Sequence, residues 1–386
     1  MPRKSKSLQP PIFVDQQSAF ERLVKGLKSE PILAVDTEAN SLFAYQEQVC
    51  LIQISTPSAD YIIDPLSLQD LASLGKLFYD PAVEKVFHAS EYDLLILYED
   101  FQFEFQNLFD TMIAAQILGR QKLGLDALLE EFIGLNVDKK FQRSNWGKRP
   151  LPEDMLKYAQ MDTHYLIEIR NLLAAELAKN GLNDIAEEDF TLACRVHLHH
   201  KENNTPLCWR INGAKKLSSQ KAAVLASLCQ YREEIARKIN KPVFKVLGAG
   251  TLLKLAEQTP TSESQLMKMD LPGKRNLQRH AEGLIQAIRA GQSAPPLHPP
   301  KRERLDDSYL AREHALKNWR KNTARKMKVN SAVVLPRDIL YKVISENPRT
   351  NAELDVVLKD VPWRKERFGQ EILSVLSSTN QTGRRK

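Results

Sequence analysis

Residues 31–42, PILAVDTEANSL, decide how the N-terminal half of this chain is read. Ile32 to Val35 form an apolar run with strand character that leads directly into Asp36 and Glu38. Alternate residues of a strand point to the same face, so the two carboxylates stand side by side at the rim of an apolar core. That placement costs free energy unless something positive joins them.

Outward from this strand, VCLIQIS (49–55) and DYIIDP (60–65) follow after polar or proline-containing breaks, and the three read as consecutive antiparallel strands. LASLGKLFYD has helical spacing, KVFHAS (85–90) is a short strand, and EYDLLILYED is a helix. After LFDT (108–111) the pattern turns mostly helical, through GLDALLEEFIG to one long helix from about Pro152 to Lys179. Pro152 with Glu153 and Asp154 behind it suits a helix start. Strands first and helices layered around them predict an α/β fold with a mixed sheet.

At 386 residues the chain holds two or three domains. MPRKSKSLQPP has charge but no apolar core behind it and is not a signal peptide, and no stretch has the apolar length of a membrane span. The four cysteines form no CxxC pair, which points to a reducing cytoplasm. The net charge of +7 conceals an asymmetry: residues 1–200 carry 19 Lys and Arg against 30 Asp and Glu, and residues 201–386 carry 36 against 18. A basic second half faces a polyanion, or simply carries solvated basic helix surfaces.

That second half contains no convincing strand and repeats itself. A shift of 88 lays YREEIARKIN (231–240) on WRKNTARKMK (319–328) without a gap. The register continues from Leu228 with Leu316 through Leu252 with Leu340, Pro260 with Pro348 and Arg279 with Arg367. Two copies of one small helical domain are expected, with QSAPPLHPPKRER (292–304) as an extended Pro-rich linker.

Two further acids stand out in the first half. Asp93 opens the helix after KVFHAS, and Asp162 lies one helical turn beyond Tyr158 in YAQMDTHYL. Met155, Ala159, Leu166, Ile169 and Leu173 turn one side of that helix inward. Singly, Asp93 reads as a helix N-terminal acid and Asp162 as a solvated surface residue. Together with Asp36 and Glu38 they have a common use. Hard carboxylate oxygens hold hard divalent cations, and paired ions clamp both oxygens of a phosphoryl transfer.

VDTEANSL, VFHASEYDLLIL and YAQMDTHYL resemble the three motifs of the DEDD superfamily of 3′-5′ exonucleases, in the subgroup with a tyrosine before the last aspartate. LFDTMIAAQILG, GLDALLEEFIGLNVDKKFQRSNWGKRPL and the doubled helical region narrow the resemblance to the ribonuclease D family. The resemblance implies an RNase H-like exonuclease domain over 1–205 and two all-α HRDC bundles over 206–291 and 305–380. It also implies a cofactor of two divalent ions, Mg²⁺ or Mn²⁺. Asp36, Glu38 and Asp162 would coordinate the first, and Asp36, supported by Asp93, the second. Tyr158 would orient the attacking water. The implied reaction removes 3′-terminal nucleotides of RNA as 5′-monophosphates, with tRNA precursors the first substrate expected and a monomeric, cytoplasmic enzyme that uses no membrane.

Weaker assignments concern RNA contacts. Leu42 is placed at the terminal sugar or base, and His88 either lines the nucleotide pocket or packs in the core. Lys139, Lys140, Arg143, Trp146, Lys148 and Arg149 are candidates for gripping the backbone, with packing the alternative for Trp146. Asn145 stands where many relatives carry Asp, outside the four-acid set. His197, His199 and His200 suggest a metal site, against which stands a helix end with no suitably spaced cysteine. The basic bundles supply phosphate contacts, or one copy packs on the exonuclease domain instead. Two alternatives remain at this point. One is a DNA exonuclease, since the same four acids serve both nucleic acids. The other is an inert RNA-binding scaffold, which retention of all four acids and the tyrosine opposes.

Overall fold

The computed structural model describes residues 8–195, 205–300 and 306–382. The three histidines of 197–200 and residues 301–304 of the Pro-rich segment lie outside the described residues. The chain divides into two compact units, one of residues 8–38, 49–195 and 306–382, the other of 39–48 and 205–300.

The first unit is built on a six-stranded sheet. Its strands are β1 (Ile12–Val14), β2 (Ile32–Ala39), β3 (Val49–Ser55), β4 (Asp60–Ile63), β5 (Glu84–Phe87) and β6 (Leu108–Asp110). They lie in the order β1-β4-β3-β2-β5-β6. β3 and β4 are antiparallel, while β1–β4, β2–β5 and β5–β6 are parallel, so the sheet is mixed as expected. All seven residues of β3 are buried, the continuous run of a strand covered on both faces. β1 and β6, at three residues each, are too short for an alternation signal, and the sequence reading did not include them.

Helices α1 (Gln17–Leu27), α2 (Ala72–Phe78), α3 (Glu91–Phe101), α4 (Thr111–Ile117), α5 (Leu125–Ile133), α6 (Glu153–His164), α7 (Leu166–Lys179) and α8 (Asn183–Ala193) accompany the sheet. The long helix expected over 152–179 is corrected to α6 and α7, separated at Tyr165, where φ is −98° and ψ 0°. No proline or glycine marks this break. Its cause is tertiary: α6 packs on β3 and β4, whereas α7 packs on β5, α4 and α5. Met155, Ala159, Leu166, Ile169 and Leu173 are nonetheless all buried.

The two helical bundles repeat residue for residue. Helices Ser219–Lys238, Val243–Val246, Ala249–Gln258 and Glu263–Lys268 begin 88 residues before Asp307–Met327, Ser331–Val334, Arg337–Glu346 and Asn351–Val357. Left-handed residues recur in register as well, Asn240 with Lys328 and Thr259 with Asn347. The copies part company at the last helix, broken at His280 in the first and continuous over Pro362–Thr382 in the second. Each has its own apolar core, around Leu225, Leu228 and Leu255 in one and Leu316, Val343 and Phe368 in the other. The first copy's last helix runs to Ser293, and Leu297 beyond it donates back to the Ser219 carbonyl at 2.9 Å.

The second copy belongs to the same unit as the sheet. Arg364, fully buried, donates to Glu188 Oε1 at 2.6 Å and to Asp189 Oδ2 at 2.9 Å, both on α8. It also donates to the Val333 carbonyl of its own bundle at 2.8 Å. The Trp363 backbone N–H donates to Glu188 Oε2 at 2.6 Å, and Leu192 packs on the second core. A Cβ at Gly119, just past α4, would stand 2.8 Å from the Lys328 carbonyl oxygen.

Candidate active site

Asp36 and Glu38 project from one face of β2, and Thr37 between them is buried. The Thr37 hydroxyl donates to Asp93 Oδ1, so the strand that carries two acids also orients a third. Asp93 sits in the first turn of α3 and is 6% exposed.

The start of α3 is held by Asp110 at the end of β6. Ala89 has a φ of 61°, a conformation an alanine adopts only under local constraint. Asp110, 1% exposed, accepts from the backbone N–H of Ala89 at 3.1 Å and of Ser90 at 2.7 Å. It accepts equally from Met112 at 2.8 Å and Ile113 at 3.1 Å, capping α4. One carboxylate therefore fixes the turn that delivers Asp93. The sequence reading quoted LFDT without assigning Asp110 a role, although an Asp between a short strand and a helix is a capping signal.

Tyr158 and Asp162 come from α6, one turn apart. Behind them lies Trp146, 1% exposed, packed with Cys50, Leu51, Ile62, Met155 and Ala159, its ring 6.1 Å from that of Tyr158. The four acids and Tyr158 line one cavity of about 440 Å³, together with His88, Tyr92, Asp126 and Lys139.

Charge in this cavity is one-sided. Burial, then Asp93, Asp162 and Glu38, push Asp36 well above the usual carboxylate range. Burial, then Asp162 and Asp93, push Glu38 up to about 9. Burial and Asp93 lift Asp162 to about 7. Asp93 also reaches about 7 through burial, tempered by the Thr37 hydrogen bond. Burial, then Asp162, Glu38 and Asp36, raise Tyr158, which stays a neutral hydroxyl. Lys139, the cation in the lining, is taken by Asp126 at 2.8 Å. Among the described residues no three His, Cys, Asp or Glu side chains are drawn together as a finished ligand set. The donor chemistry nonetheless fits hard divalent cations: all four carboxylates are raised in a shared cavity, Asp36, Glu38 and Asp162 partly by their acidic neighbours, the condition that such ions relieve.

The RNA-contact candidates separate. Leu42 is 39% exposed. His88 lines the cavity, with Nδ1 2.9 Å from the Thr111 hydroxyl. Lys140, Arg143 and Lys148 are exposed. Trp146 and Arg149 are corrected. Trp146 is core, with no face for a base. Arg149 spends all five N–H donors inside the protein: on Asp64 at 2.6 Å twice, and on the carbonyls of Cys50, Trp146 and Lys148. It ties the segment ahead of α6 to the sheet.

Comparisons with known proteins agree with this arrangement. Residues 11–178 match the 3′-5′ exonuclease family model, and 221–288 and 310–376 each match the HRDC domain. The chain is 33% identical over 290 residues to Protein RRP6-like 2 of Arabidopsis thaliana, covering 72% of this chain and 33% of that protein. It is 29% identical over 374 residues to ribonuclease D of Pseudomonas paraeruginosa, covering 95% and 97%. The solved structure of Escherichia coli RNase D, described as an exoribonuclease involved in structured RNA processing, matches with a TM-score of 0.69 at 25% identity, over 96% of this chain and 99% of that one. The chain spans less than half the length of the RRP6-type relatives that lead the comparison. No helix among the described residues is long and apolar enough to cross a membrane. The chain thus carries a 3′-5′ exonuclease domain followed by two HRDC domains, and it is similar over nearly its whole length to the ribonuclease D proteins.

Proposed function

We propose that the protein is a 3′-5′ exoribonuclease that hydrolyses the terminal phosphodiester and releases nucleoside 5′-monophosphates. The observation that carries this reading is the convergence of Asp36, Glu38, Asp93 and Asp162 with Tyr158 in one cavity, whose four acids pair with no base among the described residues. Asp36, Glu38 and Asp162 would hold one divalent ion, Mg²⁺ or Mn²⁺, and Asp36 with Asp93 the other. When bound, two such ions lower the pKa of water and neutralise charge on the phosphate. The Tyr158 hydroxyl, neutral and one turn from Asp162, orients the attacking water. Thr37 and Asp110 hold Asp93 in place, and Trp146 backs Tyr158. Leu42, His88, Lys139, Lys140, Arg143 and Lys148 remain the RNA-contact candidates.

The basic bundles over 206–291 and 305–380 add phosphate contacts without reading sequence, so affinity for RNA falls steeply with salt. We assign the enzyme to the cytoplasm as a monomer acting on 3′-extended structured RNA, tRNA precursors first. The deciding experiment incubates the protein with a 3′-extended tRNA and a matched single-stranded DNA, in Mg²⁺ or EDTA, and repeats with Asp36→Ala. Shortening of the RNA from its 3′ end, lost in EDTA and in the variant, is expected. Faster shortening of the DNA would transfer the activity to that polymer, and no shortening at all would leave an RNA-binding scaffold.

A further inference from the structure

The segment between β2 and β3, residues 39–48, belongs to the unit of the first HRDC copy. It begins directly after Glu38 and carries Leu42, and its Phe43 and Tyr45 reach the bundle. The Tyr45 backbone N–H donates to Asn240 Oδ1 at 3.0 Å, and its hydroxyl donates to Glu233 Oε2 at 3.0 Å. The Arg237 guanidinium lies over the Tyr45 ring at 5.7 Å, and Lys245 Nζ lies 3.9 Å from the centre of the Phe43 ring. Tyr45 also packs against the bundle's apolar core. Within the segment, Asn40 holds both ends: its side chain accepts from the Gln48 N–H at 2.9 Å, and its carbonyl accepts from Phe43 at 2.7 Å.

The repeat supplies an independent observation. At the corresponding positions of the second copy, Glu233, Asn240 and Lys245 are replaced by Lys321, Lys328 and Val333. A lysine cannot accept a hydrogen bond, and a valine offers no cation to a ring. Arg237 recurs as Arg325, but the acceptors for Tyr45 and the cation over Phe43 belong to the first copy alone.

We propose that Tyr45 is a positioning residue and that the first HRDC copy sets the catalytic efficiency of the exonuclease domain by holding this segment. This inference rests on the exoribonuclease reading. The constraint acts along the chain: seven residues back from Tyr45 stands Glu38, and three residues back stands Leu42. A loosened segment spends less of its time in the arrangement that receives the 3′-terminal nucleotide. The effect falls on removal of the terminal nucleotide whatever the length of RNA behind it, which separates it from RNA grip.

The test uses the full-length protein and a four-nucleotide RNA in Mg²⁺, with Tyr45→Phe, Glu233→Ala, Asn240→Ala and the Tyr45→Phe/Glu233→Ala pair. Tyr45→Phe keeps the ring and the packing and removes the hydroxyl's hydrogen bond to Glu233 together with the longer one it accepts from Arg237 at 3.5 Å. It lowers kcat/KM about fivefold, chiefly the weight of the shorter bond. The pair loses little more than either single variant. Asn240→Ala speeds hydrogen exchange at the Tyr45 amide and lowers kcat/KM in step. Variants with lowered thermal stability and unchanged kcat/KM would reduce Tyr45 to a structural contact and overturn the inference alone. A wild-type protein that does not shorten the RNA would overturn the exoribonuclease reading and this inference with it.

Discussion

The two HRDC copies share helix starts residue for residue, yet the equivalent positions Asn276 and Arg364 carry opposite consequences. In the first copy Asn276 Nδ2 donates to the Lys245 and Val246 carbonyls at 3.3 Å, a tie that stays within the bundle. In the second, Arg364 makes the corresponding bond to Val333 and continues to Glu188 and Asp189 on α8. Lengthening one side chain turned an internal tie into a lock on the exonuclease domain. The first copy, lacking that arginine, uses Glu233, Asn240 and Lys245 to hold residues 39–48 instead. Duplication preserved the scaffold while single positions diverged toward different attachments.

The largest effect should come from the lock itself. Arg364→Met takes their cation from the buried Glu188 and the half-buried Asp189 and destabilises the folded protein by on the order of 3–5 kcal/mol, read by denaturant unfolding. Burial already raises both carboxylates, against the lowering influence of Arg364. Folded-state values above the unfolded ones mean that stability is lost as pH rises through them, and removing Arg364 raises them further. The deficit of the variant is therefore greatest on the alkaline side, where both carboxylates are ionised, and shrinks as acid protonates them. A deficit independent of pH would show that packing, not the ion pair, makes the lock.

A smaller effect separates the copies at their helix crossings. A Cβ at Gly291 would fall 2.4 Å from the Val224 Cα, so Gly291→Ala forces two helices apart and costs about 1–3 kcal/mol. The second copy carries Thr379 and Arg312 at these positions, and Thr379→Ala stays within about 0.5 kcal/mol. Equal costs would mean that the two crossings are alike. Smaller than the Gly291 effect is that of Asn276→Ala, at about 1 kcal/mol with no pH dependence, because its loss leaves no charge behind.

Much of the site was legible because its signals are local. Strand alternation put Asp36 and Glu38 on one face, and helical spacing put Tyr158 one turn from Asp162. What the sequence did not disclose depends on tertiary neighbours. Trp146 and Arg149 look like an aromatic and a cation in a basic loop, and become core and brace only because β3 and Asp64 stand behind them. The break at Tyr165 carries no proline or glycine and exists because α6 and α7 answer to different partners. The 88-residue repeat was plain, but not the divergence of its attachments, since a buried arginine and a solvated one read alike until α8 is placed against it.

The central claim is that four carboxylates on β2, α3 and α6 form one site for two divalent cations. Titration of Mn²⁺ into the full-length protein, followed by electron paramagnetic resonance, measures it without a substrate. Two bound Mn²⁺ per chain are predicted for the wild type, and loss of both from Asp36→Asn, which keeps the side chain's shape and removes the charge shared by the two ions. An absence of saturable binding, or an unchanged stoichiometry in Asp36→Asn, would contradict the account.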